Sequence, residues 1–196
     1  MLLKYNDTFT VAKEDKFPFV ECTTWADDTR RAGGGWQSTW HFVSIPLIAE
    51  ESDNYTFTNQ EKNMSMAMPV LYLWLQGHNI SDTPMYESIM KRQPDGDEEK
   101  GKSLALRLLM HYMGDVHQPL HNVQRYTLNR TKGDSGGNAF ALKYHYGANN
   151  LHSLWDKVLY VYRYSIKRPF TEEAFDDFGI DAVDLREAFN FTKEEV

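Results

Sequence analysis

Residues 111–121, HYMGDVHQPLH, crowd three histidines and an aspartate against an apolar run. On a helix, residues four apart share a face with Cβ atoms about 6 Å apart. His111 and Asp115 can therefore aim an imidazole and a carboxylate at one point. His152 and Asp156, in HSLWD, repeat that spacing, and His121 falls just past Pro119, where the chain can turn back toward the same space. A single pair of this kind is ordinarily a surface hydrogen bond. Two pairs and a loop histidine in one chain point instead to a metal centre, and nitrogen plus carboxylate ligands suit zinc. Upstream, WADDTR places Asp27 and Arg30 three apart on one helical face, and WHF offers His41. His78 follows a glycine at a helix end, His145 sits in an aromatic arm, and His117 lies off the face of 111 and 115. These three read as structural.

The elements that must carry these residues are mainly helical, with no internal repeat. A helix is expected over about Phe19 to Arg31, stopped by Gly33, Gly34 and Gly35, followed by a loop or extended piece, WQSTWHFVSIP. Residues from about Gln60 to Gln76 are apolar enough for a buried helix that Pro69 should kink or divide. After the polar linker RQPDGDEEKGK, apolar residues at 104, 108, 109, 112 and 113 have helical spacing, and Pro119 ends that helix near Val116 or His117. Residues 127–138, with GDSGGN, read as loop; AFALKYHY as a short strand or extended arm; NNLHSLWDKVLYVYRY as helix again. Two weaker acidic helical patterns follow.

The chain has 196 residues and a net charge of −7, so it offers no basic surface to hold a duplex by counterion release. No apolar run approaches the ~20 residues of a membrane span, and the start, MLLKYNDTFT, turns polar too soon for a signal peptide. Cys22 stands alone and cannot form an internal disulfide, which leans intracellular. Against that, six of the eleven asparagines lie in glycosylation sequons: Asn6, Asn54, Asn63, Asn79, Asn129 and Asn190. Chance would place about one. The expectation is a secreted or lumenal glycoprotein whose leader is missing from this chain.

Taken in order, WADDTR, WHF, HYMGDVHQPLH, GDSGGN and NLHSLWD resemble the class I zinc-dependent nuclease family, of the mung bean nuclease and protist 3′-nucleotidase/nuclease type, distantly related to bacterial zinc phospholipase C. The resemblance covers roughly residues 17–160. It implies an all-α fold, as in zinc phospholipase C and the class I nucleases, holding a cluster of three zinc ions. By position it implies Asp27, His41, His111 and Asp115 as ligands of one zinc, with Asp115 bridging to a neighbour. His121, His152 and Asp156 would hold the exposed zinc. Arg30 would steady phosphate charge in the transition state and Asp27 would orient the nucleophile. Phe42 matches an aromatic that stacks on a base, and Asn138 a residue of the substrate pocket. The implied activity is hydrolysis of single-stranded RNA and DNA to 5′-nucleotides, with 3′-nucleotidase activity, by a monomer. The zinc charge would supply locally the positive potential that the chain lacks.

Three departures qualify this. Ser44 stands where fungal members have a base-binding aspartate. The family's N-terminal tryptophan and nearby histidine, which hold the third zinc, have no counterpart, since His41 is the first histidine. The helices after HSLWD are also largely missing. The expectation is one domain over residues 1–196, truncated at both ends. Three alternatives carry different chemistry: a phospholipase C on the same cluster, a non-catalytic remnant, and a serine protease with Ser135 of GDSGG as nucleophile. The last is disfavoured because Asn138 replaces the proline that should follow, and strand alternation is lacking.

Overall fold

The computed structural model describes residues 16–31, 33–57, 62–93, 95–143, 147–157 and 168–189. Its frame is helical. Helix α1 (Pro18–Asp28) starts on a proline at its first position and tightens into a 3-10 turn at Thr29–Arg31. A second 3-10 helix, Gly34–His41, occupies what reads in the sequence as loop or extended chain. Three of its four buried residues, Gly34, Gln37 and Trp40, recur every third position, the period at which 3-10 side chains eclipse; the fourth is His41. Only one of those three is a large apolar residue, so no hydrophobic pattern marks the element. A Cβ on Gly34 would lie 2.8 Å from the Thr29 backbone, which fixes glycine there.

Helix α2 (Met64–Leu75) runs through Pro69 undivided. Pro69 and Ser65, whose carbonyl loses its partner to the ring, both lie on the exposed face, where water can take that carbonyl. Helix α3 (Pro84–Met90), capped by Thr83, was not foreseen. Helix α4 (Glu98–His117) begins inside the expected linker because Asp97 accepts from the backbone N–H groups of Glu99 and Lys100. Short helices α5 (Pro119–Asn122) and α6 (Leu151–Asp156) follow, α6 with a capping box between Asn150 and Ser153.

Helix α4 packs against α1 and α2. Its buried stripe, Gly101, Leu104, Ala105, Leu108, His111 and Tyr112, faces Trp25, Trp40, Leu71 and Trp74, while Met113 is exposed. The stripe that builds the core thus delivers His111, and one turn later Asp115, to the core's edge. Tyr112 Oη donates to Gln37 Oε1 (2.6 Å) and Gln37 Nε2 donates to the Ala26 carbonyl (3.0 Å). This buried chain ties α4, the second 3-10 helix and α1 together beside Asp27 and His41. Two short parallel strands, β1 (Ile45–Ile48) and β2 (Val123–Tyr126), pair in register Ile45 to Val123. The sequence did not signal this pairing. Each strand follows a histidine closely, and Val43 N–H donates to the His121 carbonyl (2.9 Å), so the pair holds the His41 and His121 segments side by side.

The described part of the arm expected at 139–146 makes a bridge, Ala141 to Asn150; residues 144–146, His145 among them, and 158–164 of the expected helix lie outside the described residues. The tail holds one described helix, α7 (Glu172–Ala188), none of whose residues is buried. Of the sequon asparagines, Asn54, Asn79 and Asn129 are exposed. Asn63 is buried, and its Oδ1 caps α2 by accepting from Met66 N–H. Asn6 and Asn190 lie outside the described residues. No described helix is long and apolar enough to cross a membrane.

Candidate metal centre

Residues from six elements converge on one cavity of about 410 Å³. The end of α1 contributes Asp27, and the 3-10 turn after it Arg30. The second 3-10 helix contributes His41, α4 Asp115, α5 His121, and α6 His152 and Asp156. His111 lies behind Asp115, buried. Two groups form. In the first, Asp27, His41 and His111 bring one potential ligand atom each within 4.8 Å of the others. In the second, His121, His152 and Asp156 do the same.

Asp115 faces both groups. Its Oδ2 lies 2.8 Å from His41 Nδ1 and 3.1 Å from His111 Nε2, and its Oδ1 lies 3.5 Å from His121 Nδ1. His41 Nδ1 and His111 Nε2 are 3.1 Å apart, and the two Asp27 oxygens are 3.8 Å from one of these nitrogens each. Four ligands around tetrahedral zinc at 2.0–2.1 Å stand roughly 3.3 Å from one another. The observed spacings bracket that value.

The imidazoles are held from behind. A carbonyl can only accept, so the nitrogen that meets it carries the proton. His111 Nδ1–H donates to the Thr23 carbonyl (2.7 Å), His121 Nδ1–H to the His41 carbonyl (2.8 Å) and His152 Nδ1–H to the Gly136 carbonyl (2.8 Å). In the neutral ring each Nε2 then carries the lone pair that a metal would take, and in the metal-free protein the His111 Nε2 can instead hold a proton shared with Asp115. Such outer partners fix the tautomer and orientation that a metal requires. His41 differs, presenting Nδ1 to the cluster. Lone pairs and carboxylates gathered in this way repel one another unless a cation or proton sits among them, and this donor set fits zinc.

Electrostatics without a metal agrees. Burial pushes Asp115 up, but hydrogen bonds from His111 and His41 and the charges of His111 and His121 outweigh it and hold the carboxyl at about 2. Burial likewise presses His111 down, yet the hydrogen bond to Asp115 and the charges of Asp115 and Asp27 leave it above the ordinary histidine range. A proton is drawn to the place a cation would take. His121 is lowered, chiefly by burial, against the pull of Asp115.

The glycine loop supports the second group. Gly136 sits at φ 58°, and a Cβ there would collide with the Leu120 carbonyl oxygen while lying 3.6 Å from His152 Nδ1. Gly136→Ala is expected to lower stability by about 1–3 kcal/mol, from strain and overpacking. Urea denaturation checks this, and an unchanged midpoint would contradict the role of the loop.

Phe42 lines the cavity half-buried, its ring 4.6 Å from that of His121. Asn138 lines it exposed, its Nδ2 donating to the Ser135 carbonyl (2.9 Å). Ser135 is not part of the cavity wall. His78 and His117 are exposed and outside the cavity, and His117 Nδ1 meets the Met113 carbonyl. Sequence reasoning missed Gly114 and Gln118, which also line the cavity. For Gln118 the available signal was its place between Asp115 and His121.

Residues 4–191 match the S1/P1 nuclease family. The chain is 28% identical to Endonuclease 5 of Arabidopsis thaliana over 167 residues, 79% of this chain and 50% of that protein. It is 29% identical to Nuclease S1 of Aspergillus oryzae over 124 residues, 62% of this chain and 38% of that protein. With Nuclease P1 of Penicillium citrinum it shares 25% over 134 residues, 68% of this chain and 42% of that protein. The match thus spans half or less of each relative's length. With a family match over most of its length, the chain belongs to the S1/P1 nuclease family.

Proposed function

We propose that this chain is a zinc-dependent phosphoesterase that cleaves single-stranded RNA and DNA to 5′-nucleotides and removes 3′-phosphates from nucleotides. The observation that carries the reading is the convergence of two His/Asp groups on one cavity, with Asp115 facing both. Asp27, His41, His111 and Asp115 would hold one zinc, and His121, His152 and Asp156 another. Zinc there supplies Lewis acidity at a phosphoryl oxygen and makes water available as a nucleophile near neutral pH. Asp27, with its side chain 62% exposed, orients the attacking water. Arg30 presents its guanidinium fork to the phosphate, where it counters the charge that grows in the transition state. Phe42 stacks on a base of a single strand, which tolerates any base identity, and Asn138 contacts the substrate. The substrate is single-stranded because stacking needs a splayed base. The reading also places the protein outside the cytosol as a monomer, with glycans on exposed sequons such as Asn54, Asn79 and Asn129.

The test is a labelled single-stranded oligonucleotide offered beside short-chain phosphatidylcholine, with EDTA and zinc add-back as controls. Oligonucleotide cleavage to 5′-phosphate ends, abolished by EDTA and restored by zinc, is expected. Cleavage of the lipid alone, or cleavage indifferent to EDTA, overturns the reading.

A pH dependence follows. His111 is raised above its ordinary value of 6.5 in the metal-free protein, so its contribution to folding is present below 6.5 and fades as pH rises through the raised value. A metal must displace that proton. Zinc affinity at the first group is therefore expected to weaken about tenfold for each pH unit below the raised value. Calorimetric titration at pH 8 and pH 6, in buffers of differing ionisation enthalpy, measures the released proton. Equal affinities at the two pH values would contradict the cluster.

A further inference from the structure

Gln118 stands at the elbow between α4 and α5, three residues from Asp115 and three from His121. Its backbone N–H donates to the Asp115 carbonyl (3.1 Å). Its side-chain Oε1 accepts from Leu120 N–H (2.7 Å), capping α5. That bond settles the amide's orientation, because only the oxygen can accept. Nε2 then faces across the cavity and donates to Asp156 Oδ1 (2.9 Å).

Asp156 needs such a partner. It is the last residue of α6, a helix of six residues, and its side chain is 48% exposed. His121 and His152 are buried and fixed by carbonyls, but an exposed carboxylate rotates freely unless something holds it. The same Oδ1 that meets Gln118 lies 3.7 Å from His152 Nε2.

We propose that Gln118 is a positioning residue for the second metal, its cap on α5 orienting an amide whose Nε2–H holds Asp156 toward His121 and His152. The inference rests on the metal reading above. Through it the α4–α5 elbow, which carries Asp115 and His121, is joined to α6 at the site itself. A hydrogen bond to a ligand carboxylate of this kind typically changes metal affinity by 10–100-fold.

The test uses the whole 196-residue chain and zinc alone, titrated against a chromophoric chelator. Gln118→Ala removes both cap and donor. Gln118→Glu keeps an oxygen for Leu120 N–H and sets a carboxylate against Asp156. Both variants are expected to weaken the second zinc about 10–100-fold with the first unchanged. Gln118→Ala also lowers the metal-free melting temperature through the lost cap, whereas Gln118→Glu, which keeps an oxygen for Leu120 N–H, separates the metal effect from that loss. A Gln118→Glu variant with parental or tighter second-site affinity overturns the proposal, as does equal weakening of both sites. In the parent, the Gln118 side-chain amide protons give a second readout by NMR. They should exchange slowly and shift with the second zinc equivalent, and fast exchange without a shift is contrary. A parent that binds no zinc overturns the metal reading itself, whereas a parent that binds two while Gln118→Glu matches it overturns only the role of Gln118.

Discussion

Asp115→Ala is expected to abolish zinc retention at the first group and weaken it at the second, with kcat/KM on an oligonucleotide falling by about 10³-fold or more. Asp115 is the carboxylate that faces both groups, within 2.8–3.5 Å of His41, His111 and His121. In the proposed centre its loss would remove a shared ligand and leave His41 and His111 facing each other at 3.1 Å. On the proposed function, Lewis-acid stabilisation of several kcal/mol would vanish with the metal, and each 1.36 kcal/mol is tenfold in rate. Metal analysis and steady-state kinetics on one preparation check both parts. A variant that keeps its zinc and more than a tenth of its activity would show that Asp115 bridges nothing.

The second large effect is on stability. Metal that binds only the folded chain stabilises by mass action, about 2.7 kcal/mol at a free concentration a hundred times the dissociation constant. For a chain of this size that corresponds to roughly 5–10 °C in melting temperature. The gain should be large here because the site joins α1, α4, α5 and α6 with the second 3-10 helix, elements far apart in sequence. Scanning calorimetry with zinc and with EDTA measures it. Superimposed curves would mean that the histidines and carboxylates are satisfied without a cation.

The two pairs at helical spacing, His111 with Asp115 and His152 with Asp156, were legible as metal-chelate geometry because both fall on α-helices. His121 was legible too, from the turn after Pro119, but that Asp27, Arg30 and His41 share their cavity was not legible from spacing, and only the family resemblance brought them together. The second 3-10 helix was hidden because its three-residue period runs through Gly34, Gln37 and Trp40, where a glycine and a glutamine take core positions. The parallel β1–β2 pair joins segments nearly eighty residues apart, beyond any local pattern. The carbonyls of Thr23, His41 and Gly136 orient three imidazoles, and backbone groups leave no trace in residue identity. Asn63 illustrates the converse: a residue that matches a sequon is spent as the cap of α2.

The most direct measurement of the central claim is zinc per chain, by elemental analysis of the purified protein after dialysis. Two zinc ions per chain are expected, reduced by Asp115→Ala. A parent protein that retains none, under conditions where it is folded, would contradict the assignment of these histidines and aspartates as a metal centre.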